Sequence, residues 1–337
     1  MKPLLQRLTD AFGPSGQEEA IRELIRREVR GLADEVRTDA LGNLIVHKRP
    51  SAAKGSRDAA AKVMIAAHMD EIGLAATHVD SKGFVRFTSV GGIYPRNLPG
   101  ARVRFMDGTA GVVGQEPVER PSDVAAMDRM YIDVGASSAR DCPVKVGDVA
   151  AFERPFLDLG ERVVAKSMDN RIGCTIAIEV LRRLGRTPND VYVVFTTQEE
   201  VGTRGAQTST YGVDPDLGFA VDVTGWGDTP NMRSLSIALG EGPAIKIRDA
   251  GMLSDPRIVK WMVSTAEKNR IPYQREVLQG GSTDARAMQL VRGGVPVGAV
   301  SIPCRYVHTA SEMVDMRDVE NAVKLITALL KAPARLR

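Results

Sequence analysis

Apolar runs and helical patterns alternate on either side of a middle segment of the chain. Four runs have the length and apolar content of strands buried on both faces of a sheet: residues 63–67, 191–195, 218–223 and 295–302. Apolar positions recur at helical spacing over three further stretches: residues 20–29, 172–184 and 319–330. The first of these follows Ser15-Gly16-Gln17-Glu18, which fits a helix capping box. This alternation predicts an α/β fold with a mixed sheet flanked by helices.

The middle segment has a different pattern. Residues 74–79 and 84–90 have strand character and flank Asp80-Ser81-Lys82-Gly83, which predicts a hairpin. Further short strand patterns follow, broken by Gly and Pro and without a helical period. We therefore predict a small β domain at residues 74–160, inserted into a discontinuous main domain of residues 1–73 and 161–337. A chain of 337 residues is long enough for two cores.

Composition narrows the possible partners and the location. The formal net charge is +3 and acids are interleaved with bases, which argues against nucleic acid or an anionic membrane as a partner. No stretch approaches the roughly 20 apolar residues that span a bilayer, and the first residues do not predict a secretory signal. The three cysteines lack metal-site spacing and predict reduced thiols, so we expect a cytoplasmic protein. Residues 50–62 predict an exposed loop.

Potential metal ligands follow the predicted strands. They occupy the carboxyl ends of these strands, the segments just beyond, or the start of the next helix: His68, Asp70, Asp169, Glu199, Glu200, Asp222 and His308. In open α/β sheets, ligands bind beyond the carboxyl ends of the strands. We therefore expect these side chains to meet at one edge of the sheet.

The residue types indicate the chemistry of such a site. Two imidazoles with several carboxylates, and no thiolate, suit zinc, cobalt or manganese. One carboxylate can bridge two cations, and a pair of metal ions can activate a shared water while polarising a carbonyl oxygen. Glu199 and Glu200 are adjacent and point in different directions, so the pair can supply one ligand and one base. Asp70 is a candidate acceptor for the second ring N–H of His68.

Each of these residues also has a plainer interpretation. A single His after a strand is more often structural, and an isolated Glu-Glu pair is usually a solvated strand end. Asp169 alone could cap the helix that begins near Arg171, and Asp222 could cap a turn that leads to Gly225. Taken together these interpretations are disfavoured, because each would have to place its residue at the same edge of the sheet by chance.

Short motifs occur in a specific order along almost the whole chain. They are Gly13-Pro14-Ser15-Gly16, Asp39-Ala40-Leu41-Gly42-Asn43, Ala67-His68-Met69-Asp70-Glu71-Ile72-Gly73, Ser167-Met168-Asp169-Asn170-Arg171-Ile172-Gly173, Gln198-Glu199-Glu200-Val201-Gly202 and His308. In this order they resemble the tetrahedral metallo-aminopeptidases, a family of glutamyl and deblocking aminopeptidases within the di-zinc exopeptidases. Some members carry the label endoglucanase. One departure is Ser282, where related sequences more often have a third glycine before Thr-Asp.

The resemblance implies ligands for two divalent metal ions per chain. Zinc is the first expectation for their identity, with cobalt or manganese as alternatives. His68 and Asp222 would hold one ion, and Glu200 and His308 would hold the other. Asp169 would bridge both ions.

The resemblance also implies the catalytic groups and the assembly. Glu199 would be the general base that takes a proton from the bridging water, and Asp70 would orient His68. The Asp169–Asn170 backbone would be bent, with a cis peptide bond as one way to achieve the bend. Family members form dodecamers from dimers, with their active sites facing an enclosed chamber. We therefore expect a homo-dodecamer that acts on short peptides and uses residues 74–160 for oligomerisation and access.

Three other functions are less consistent with the sequence. A di-zinc carboxypeptidase or deacylase has a similar ligand set, but there the extra domain generally comes later and the interval from His68 to Asp169 would be short. A glycosidase needs two carboxylates across a sugar cleft and usually aromatic platforms, whereas this chain is 5% aromatic with two Trp. A binding module without catalysis would not need the complete set of ligands and base. We predict a metal-dependent aminopeptidase.

Overall fold

A computed structural model describes residues 1–51, 60–120, 122–232 and 235–336. Most of the exposed loop predicted at residues 50–62 lies outside these ranges. The α-helices of the described residues are α1 (Lys2–Asp10), α2 (Glu19–Glu28), α3 (Met168–Leu184), α4 (Arg204–Val213), α5 (Pro256–Lys268), α6 (Asp284–Gln289) and α7 (Met316–Lys331). The strands before α3 are β1 (Glu35–Thr38), β2 (Leu44–Lys48), β3 (Lys62–His68), β4 (Gly73–Val79), β5 (Val85–Val90), β6 (Arg102–Phe105), β7 (Ala110–Gln115), β8 (Met130–Asp133), β9 (Val149–Phe152), β10 (Leu157–Asp158) and β11 (Arg162–Ala165). The strands after α3 are β12 (Asp190–Thr196), β13 (Leu217–Thr224), β14 (Ala244–Arg248), β15 (Gln274–Val277), β16 (Val297–Arg305) and β17 (Glu312–Asp315).

Among the described residues, an 11-stranded mixed sheet forms the centre of the main domain. Its four middle strands, in the order β12, β3, β13 and β16, run parallel to one another. Strands β2, β14 and β17 pair with this group in the antiparallel direction. The middle strands are buried along almost their whole length, which is why they consist of continuous apolar runs rather than alternating ones. The predicted α/β fold with a mixed sheet is confirmed.

Helices cover both faces of this sheet. Val63, Ile65 and Ala67 of β3 pack in one hydrophobic cluster with side chains of α1, α2, α3, α5 and α7. Met64 and Ala66 pack in another cluster, with side chains of α4 and α6. Successive side chains of a strand point to opposite faces, so the two groups of helices lie on opposite sides of the sheet.

A small closed β barrel interrupts the main domain. Its strands follow the order β4, β5, β8, β7, β6 and β9, each paired with the next and β9 paired with β4. The barrel has a hydrophobic core of its own, which includes Leu74, Phe87, Ile132 and Phe152. This barrel is the small β unit that the middle segment predicts. The division of the chain at residues 74 and 160 stays a prediction.

The predicted capping box before α2 is wrong. The N-cap of α2 is Glu18, and no side chain caps this helix. The hydroxyl of Ser15 instead donates to Oδ2 of Asp70 at 2.6 Å, and the carboxylate of Glu18 accepts from the backbone N–H groups of Gly16 and Gln198. The residues that resemble a capping box therefore connect the start of the chain to the segments after β3 and β12.

Some elements were not predicted because they lack a readable pattern. Helix α1 has nine residues, which is too short for a clear helical period. The only buried side chain of β15 is that of Glu276, and in β14 the buried Lys246 interrupts a short apolar run, so neither strand is a continuous apolar segment. Among the described residues, no helix is long and apolar enough to cross a membrane.

Candidate metal centre

The parallel middle strands bring the predicted ligands to one edge of the sheet. Strand β3 ends at His68, and Asp222 lies near the carboxyl end of β13. Glu200 and His308 lie in the segments that follow β12 and β16. Asp169 is the second residue of α3, which follows β11. The predicted convergence is observed for all five side chains.

Asp169 lies between the two histidines. Its Oδ1 is 3.0 Å from Nε2 of His68, and its Oδ2 is 3.3 Å from Nε2 of His308. Although burial opposes ionisation, hydrogen bonding to the two histidines holds the pKa of Asp169 well below its ordinary value. The carboxylate therefore presents one oxygen to each imidazole. The Asp169–Asn170 peptide bond is cis, in agreement with the implied bend.

Each histidine has a further carboxylate beside it. Nε2 of His68 is 3.7 Å from Oδ1 of Asp222, and Nε2 of His308 is 3.4 Å from Oε2 of Glu200. One ligand atom each from His68, Asp169 and Glu200 lies within 4.8 Å of the others. The arrangement thus consists of two histidine–carboxylate pairs, with Asp169 shared between them.

The charges and donor atoms of this cluster fit divalent cations. Burial, reinforced by Asp169, raises the pKa of Glu200 to about 8. Burial also raises the pKa of Asp222 to about 8. Oε1 of Glu200 is buried without a hydrogen-bond partner among the described residues. A buried excess of carboxylates with an unused oxygen is stabilised by bound cations, and imidazole nitrogens with carboxylate oxygens are suitable ligands for zinc, cobalt or manganese.

Glu199 lies beside the cluster without forming one of its close pairs. Its side chain lines the same cavity as the candidate ligands. Burial, with contributions from the carboxylates of Asp222 and Asp284, raises the pKa of Glu199 well above its ordinary value. Oε2 of Glu200 is 3.4 Å from Nε2 of His308, whereas among the described residues Glu199 has no ion pair with either histidine. The adjacent carboxylates of Glu199 and Glu200 thus have different neighbours.

Asp70 contacts both His68 and the Glu199–Glu200 segment. Its Oδ1 lies 3.4 Å from Nδ1 of His68, and its backbone carbonyl oxygen lies 3.2 Å from the same atom. Its two carboxylate oxygens also accept the backbone N–H groups of Glu199 and Glu200, at 3.1 and 3.2 Å. Asp70 therefore connects the end of β3 to the loop after β12. The sequence predicts only its contact with His68.

The cluster opens into a cavity of about 910 Å³. Its walls include Tyr94 from the barrel together with Trp226, Lys246 and Ser282 from the main domain. A Cβ atom at Gly92 would lie 3.1 Å from Nδ1 of His308, so this barrel loop approaches the imidazole closely because it has no side chain there. The barrel therefore forms one side of the cavity.

Two carboxylates near the centre were not predicted. Asp284, at the start of α6, is buried and contacts the hydroxyl of Thr196, and burial raises its pKa to about 6. Glu312, at the start of β17, is buried behind the ligands. Asp284 belongs to a Gly-Gly-Ser-Thr-Asp segment that stands out in the sequence, whereas nothing in the sequence around Glu312 distinguishes it.

Comparison with known proteins assigns the chain to a family. Residues 42–325 match the profile of the M42 glutamyl aminopeptidases. The chain belongs to this family. It is therefore a peptidase hydrolase of the aminopeptidase type, and the M42 metallopeptidase family implies divalent metal ions. The predicted family resemblance and the enzyme class are confirmed.

Relatives of this M42 peptidase match it over nearly its whole length. A putative aminopeptidase of Acetivibrio thermocellus is 43% identical over 328 residues, which cover 97% of each chain. The structure of an aminopeptidase from the archaeon Desulfurococcus kamchatkensis superposes with a TM-score of 0.92, at 40% identity, and covers 98% of this chain and 94% of that one. The TET1 peptidase of Pyrococcus horikoshii has a TM-score of 0.87 at 35% identity and covers 98% of both chains. It is described as assembling into a tetrahedron or a large octahedral shell.

Proposed function

We propose that this M42 peptidase releases N-terminal residues from short peptides by hydrolysis at a centre of two divalent metal ions. The observation that carries the proposal is the position of Asp169, whose two oxygens lie 3.0 and 3.3 Å from the imidazoles of His68 and His308. A carboxylate with one oxygen directed to each of two histidines is suited to bridge two cations. Hydrolytic enzymes use such bridged pairs of metal ions.

The surrounding carboxylates complete the two halves of the proposed centre. His68 and Asp222 would hold one ion, Glu200 and His308 the other, with Asp169 shared. Zinc is our first choice, and cobalt or manganese is compatible with the same donors. When bound, the two ions would polarise the scissile carbonyl group and lower the pKa of water.

Glu199 is proposed as the group that moves the proton. It would accept a proton from the attacking water and return it to the leaving amine, so that the carboxylate is regenerated in each cycle. Its place on the cavity wall, outside the close pairs, leaves its carboxylate free for this role. Asp70 would keep His68 in orientation through Nδ1, and would fix the backbone that presents both Glu199 and Glu200.

A panel of end-blocked peptides tests the proposed direction of cleavage. We expect the enzyme to release the first residue from peptides with a free N-terminus, and acetylation of that amine to slow release without moving cleavage to the C-terminus. Amidation of the C-terminus should leave the rate unchanged. Mass spectrometry of the products, with a series of aminoacyl chromophores for the preferred first residue, provides the measurement. Cleavage that survives acetylation but is lost on amidation would indicate a carboxypeptidase instead.

We also propose that the chain forms a homo-dodecamer built from dimers, with the barrel contributing to subunit contacts and access. The support is the tetrahedral assembly described for the TET1 peptidase and the exposed apolar side chains of the barrel segment, including Met106 and Val146 at 69% and 67% exposure.

The three cysteines are free thiols, which supports a reducing compartment such as the cytoplasm.

Light scattering tests the assembly. We expect a mass close to twelve times the 36.4 kDa of one chain, and a smaller species for Val146→Lys, because a charge would be buried in a subunit contact. Leu290→Lys is the matched control, since Leu290 is even more exposed, at 76%, but lies outside the barrel. A wild-type monomer would contradict the dodecamer. Equal masses for both variants and the wild type would contradict the role of the barrel.

A further inference from the structure

Glu312 lies between the two chain segments that carry Asp169 and His308. It begins β17, and this strand pairs with β11 on one side and β16 on the other. Strand β11 leads into α3 and Asp169, whereas β16 leads into the loop that ends at His308. The side chain of Glu312 is only 1% exposed. The topology therefore places one buried carboxylate beside both segments.

Each oxygen of this carboxylate accepts one backbone hydrogen bond. Oε2 accepts the N–H of Asp169 at 2.9 Å, and Oε1 accepts the N–H of His308 at 2.7 Å. Glu312 thus connects the backbones of two side chains whose own atoms, Oδ2 of Asp169 and Nε2 of His308, are 3.3 Å apart.

Both backbones need an external partner at these positions. Asp169 has non-helical φ and ψ angles at the start of α3, and an N–H in the first turn of a helix has no acceptor within the helix. His308 has a left-handed φ of 61°, which is unfavourable for a residue with a Cβ atom and persists only where the surroundings fix it. The carboxylate of Glu312 supplies the acceptor in both cases.

We propose that Glu312 is a positioning residue that sets the distance and orientation between Asp169 and His308, and thereby the affinity of the centre for its metal ions. The proposal rests on the metal-binding function proposed above. Glu312 is not a ligand in this scheme: its two oxygens lie against the backbone N–H groups of Asp169 and His308, and it is outside the group of side chains whose ligand atoms converge. It acts through the two residues that it holds.

Asp318 provides a matched control for this role. It is also fully buried, and its two carboxylate oxygens accept two backbone N–H groups, those of Gly240 and Gly242, each at 2.7 Å. These glycines belong to the loop before β14 and include no proposed ligand. Replacing Asp318 by Asn therefore removes the same kind of hydrogen bond as Glu312→Gln, but without disturbing a ligand.

Calorimetric titration of the metal-stripped protein with Co²⁺ alone provides the test. Glu312→Gln keeps the shape of the side chain but replaces one acceptor oxygen by an N–H donor, so one of the two backbone bonds is lost. Changes in groups that orient metal ligands typically weaken metal binding about 10–100-fold. We expect a loss of that size for Glu312→Gln and a changed visible spectrum of the bound Co²⁺. Asp318→Asn should bind Co²⁺ like the wild type, even if both variants lower the melting temperature of the metal-free protein.

The outcomes separate this proposal from the proposed function. If the wild type binds no Co²⁺, the metal centre itself is wrong, and the role of Glu312 falls with it. If the wild type binds Co²⁺ and Glu312→Gln binds it equally well, or if Asp318→Asn weakens binding as much, Glu312 has only a structural role. Should Glu312→Gln fail to fold by circular dichroism, Glu312→Asp replaces it: the side chain is one methylene too short to hold both backbones, and unchanged Co²⁺ affinity in that variant would equally overturn the proposal.

Discussion

Glu199→Gln should lower the turnover of peptide hydrolysis by about 10²–10⁴-fold while both metal ions stay bound. The amide has the shape of the carboxylate but no longer accepts a proton. Glu199 does not form a close pair with either histidine, so its replacement removes no proposed ligand. Metal content by elemental analysis and turnover with a chromogenic aminoacyl substrate, measured on the same preparation, provide the two readouts.

Glu200→Gln is the matched comparison, because the altered residue is adjacent and the chemical change is identical. Oε2 of Glu200 lies 3.4 Å from Nε2 of His308, so this substitution replaces an anionic oxygen in the proposed second half of the centre by a neutral amide. We expect weaker binding of one ion and partial recovery of activity in excess metal. The opposite result, in which Glu199→Gln loses an ion and Glu200→Gln is inactive with both bound, would reverse the two roles. If both variants remain fully active, the active site lies elsewhere.

The location of the centre could be predicted because it follows from strand direction. The apolar runs before His68, Glu200 and His308 are recognisable as buried strands, and parallel strands end at the same edge of a sheet. The middle segment could also be predicted as a separate β unit, because its short strands have no helical period. The strand order of the barrel could not be predicted, because the alternation of apolar and polar residues in one strand is compatible with any neighbouring strand.

The backbone contacts that hold the ligands in place were harder to predict than the ligands themselves, for a physical reason. Asp70 and Glu312 accept backbone N–H groups, and the backbone has no sequence signature. For Ser15, the sequence predicts a local contact that the structure does not have. Its spacing from Glu18 fits a local capping box, but the distant carboxylate of Asp70 receives its hydroxyl instead. Such contacts depend on acceptors that are distant in the sequence and that only the fold brings close, so the local sequence does not show them.

The metal-free protein should have a pH dependence opposite to that of the metal-loaded protein. Burial raises the pKa of Glu200 and of Asp222 to about 8, and although burial opposes its charge, Asp169 raises the pKa of His308 to about 10. These values lie above those of the unfolded chain, so between about pH 5 and 9 the metal-free folded state binds more protons than the unfolded state. Stability of the metal-free protein therefore falls as pH rises through this window.

Metal binding should reverse this dependence, because a ligand must lose its proton to bind. Chelation should abolish hydrolysis, and zinc, cobalt or manganese at two ions per chain should restore it. Magnesium should not, since it prefers an octahedral set of oxygens.

Melting temperatures between pH 6 and 8.5 should fall for the stripped protein and hold or rise in saturating Co²⁺, so that the difference between the two preparations widens with pH. Calorimetry in buffers of different ionisation enthalpy should detect protons released on binding. Full activity in a metal-free preparation, or a melting-temperature difference independent of pH, would contradict a centre built from these protonated ligands.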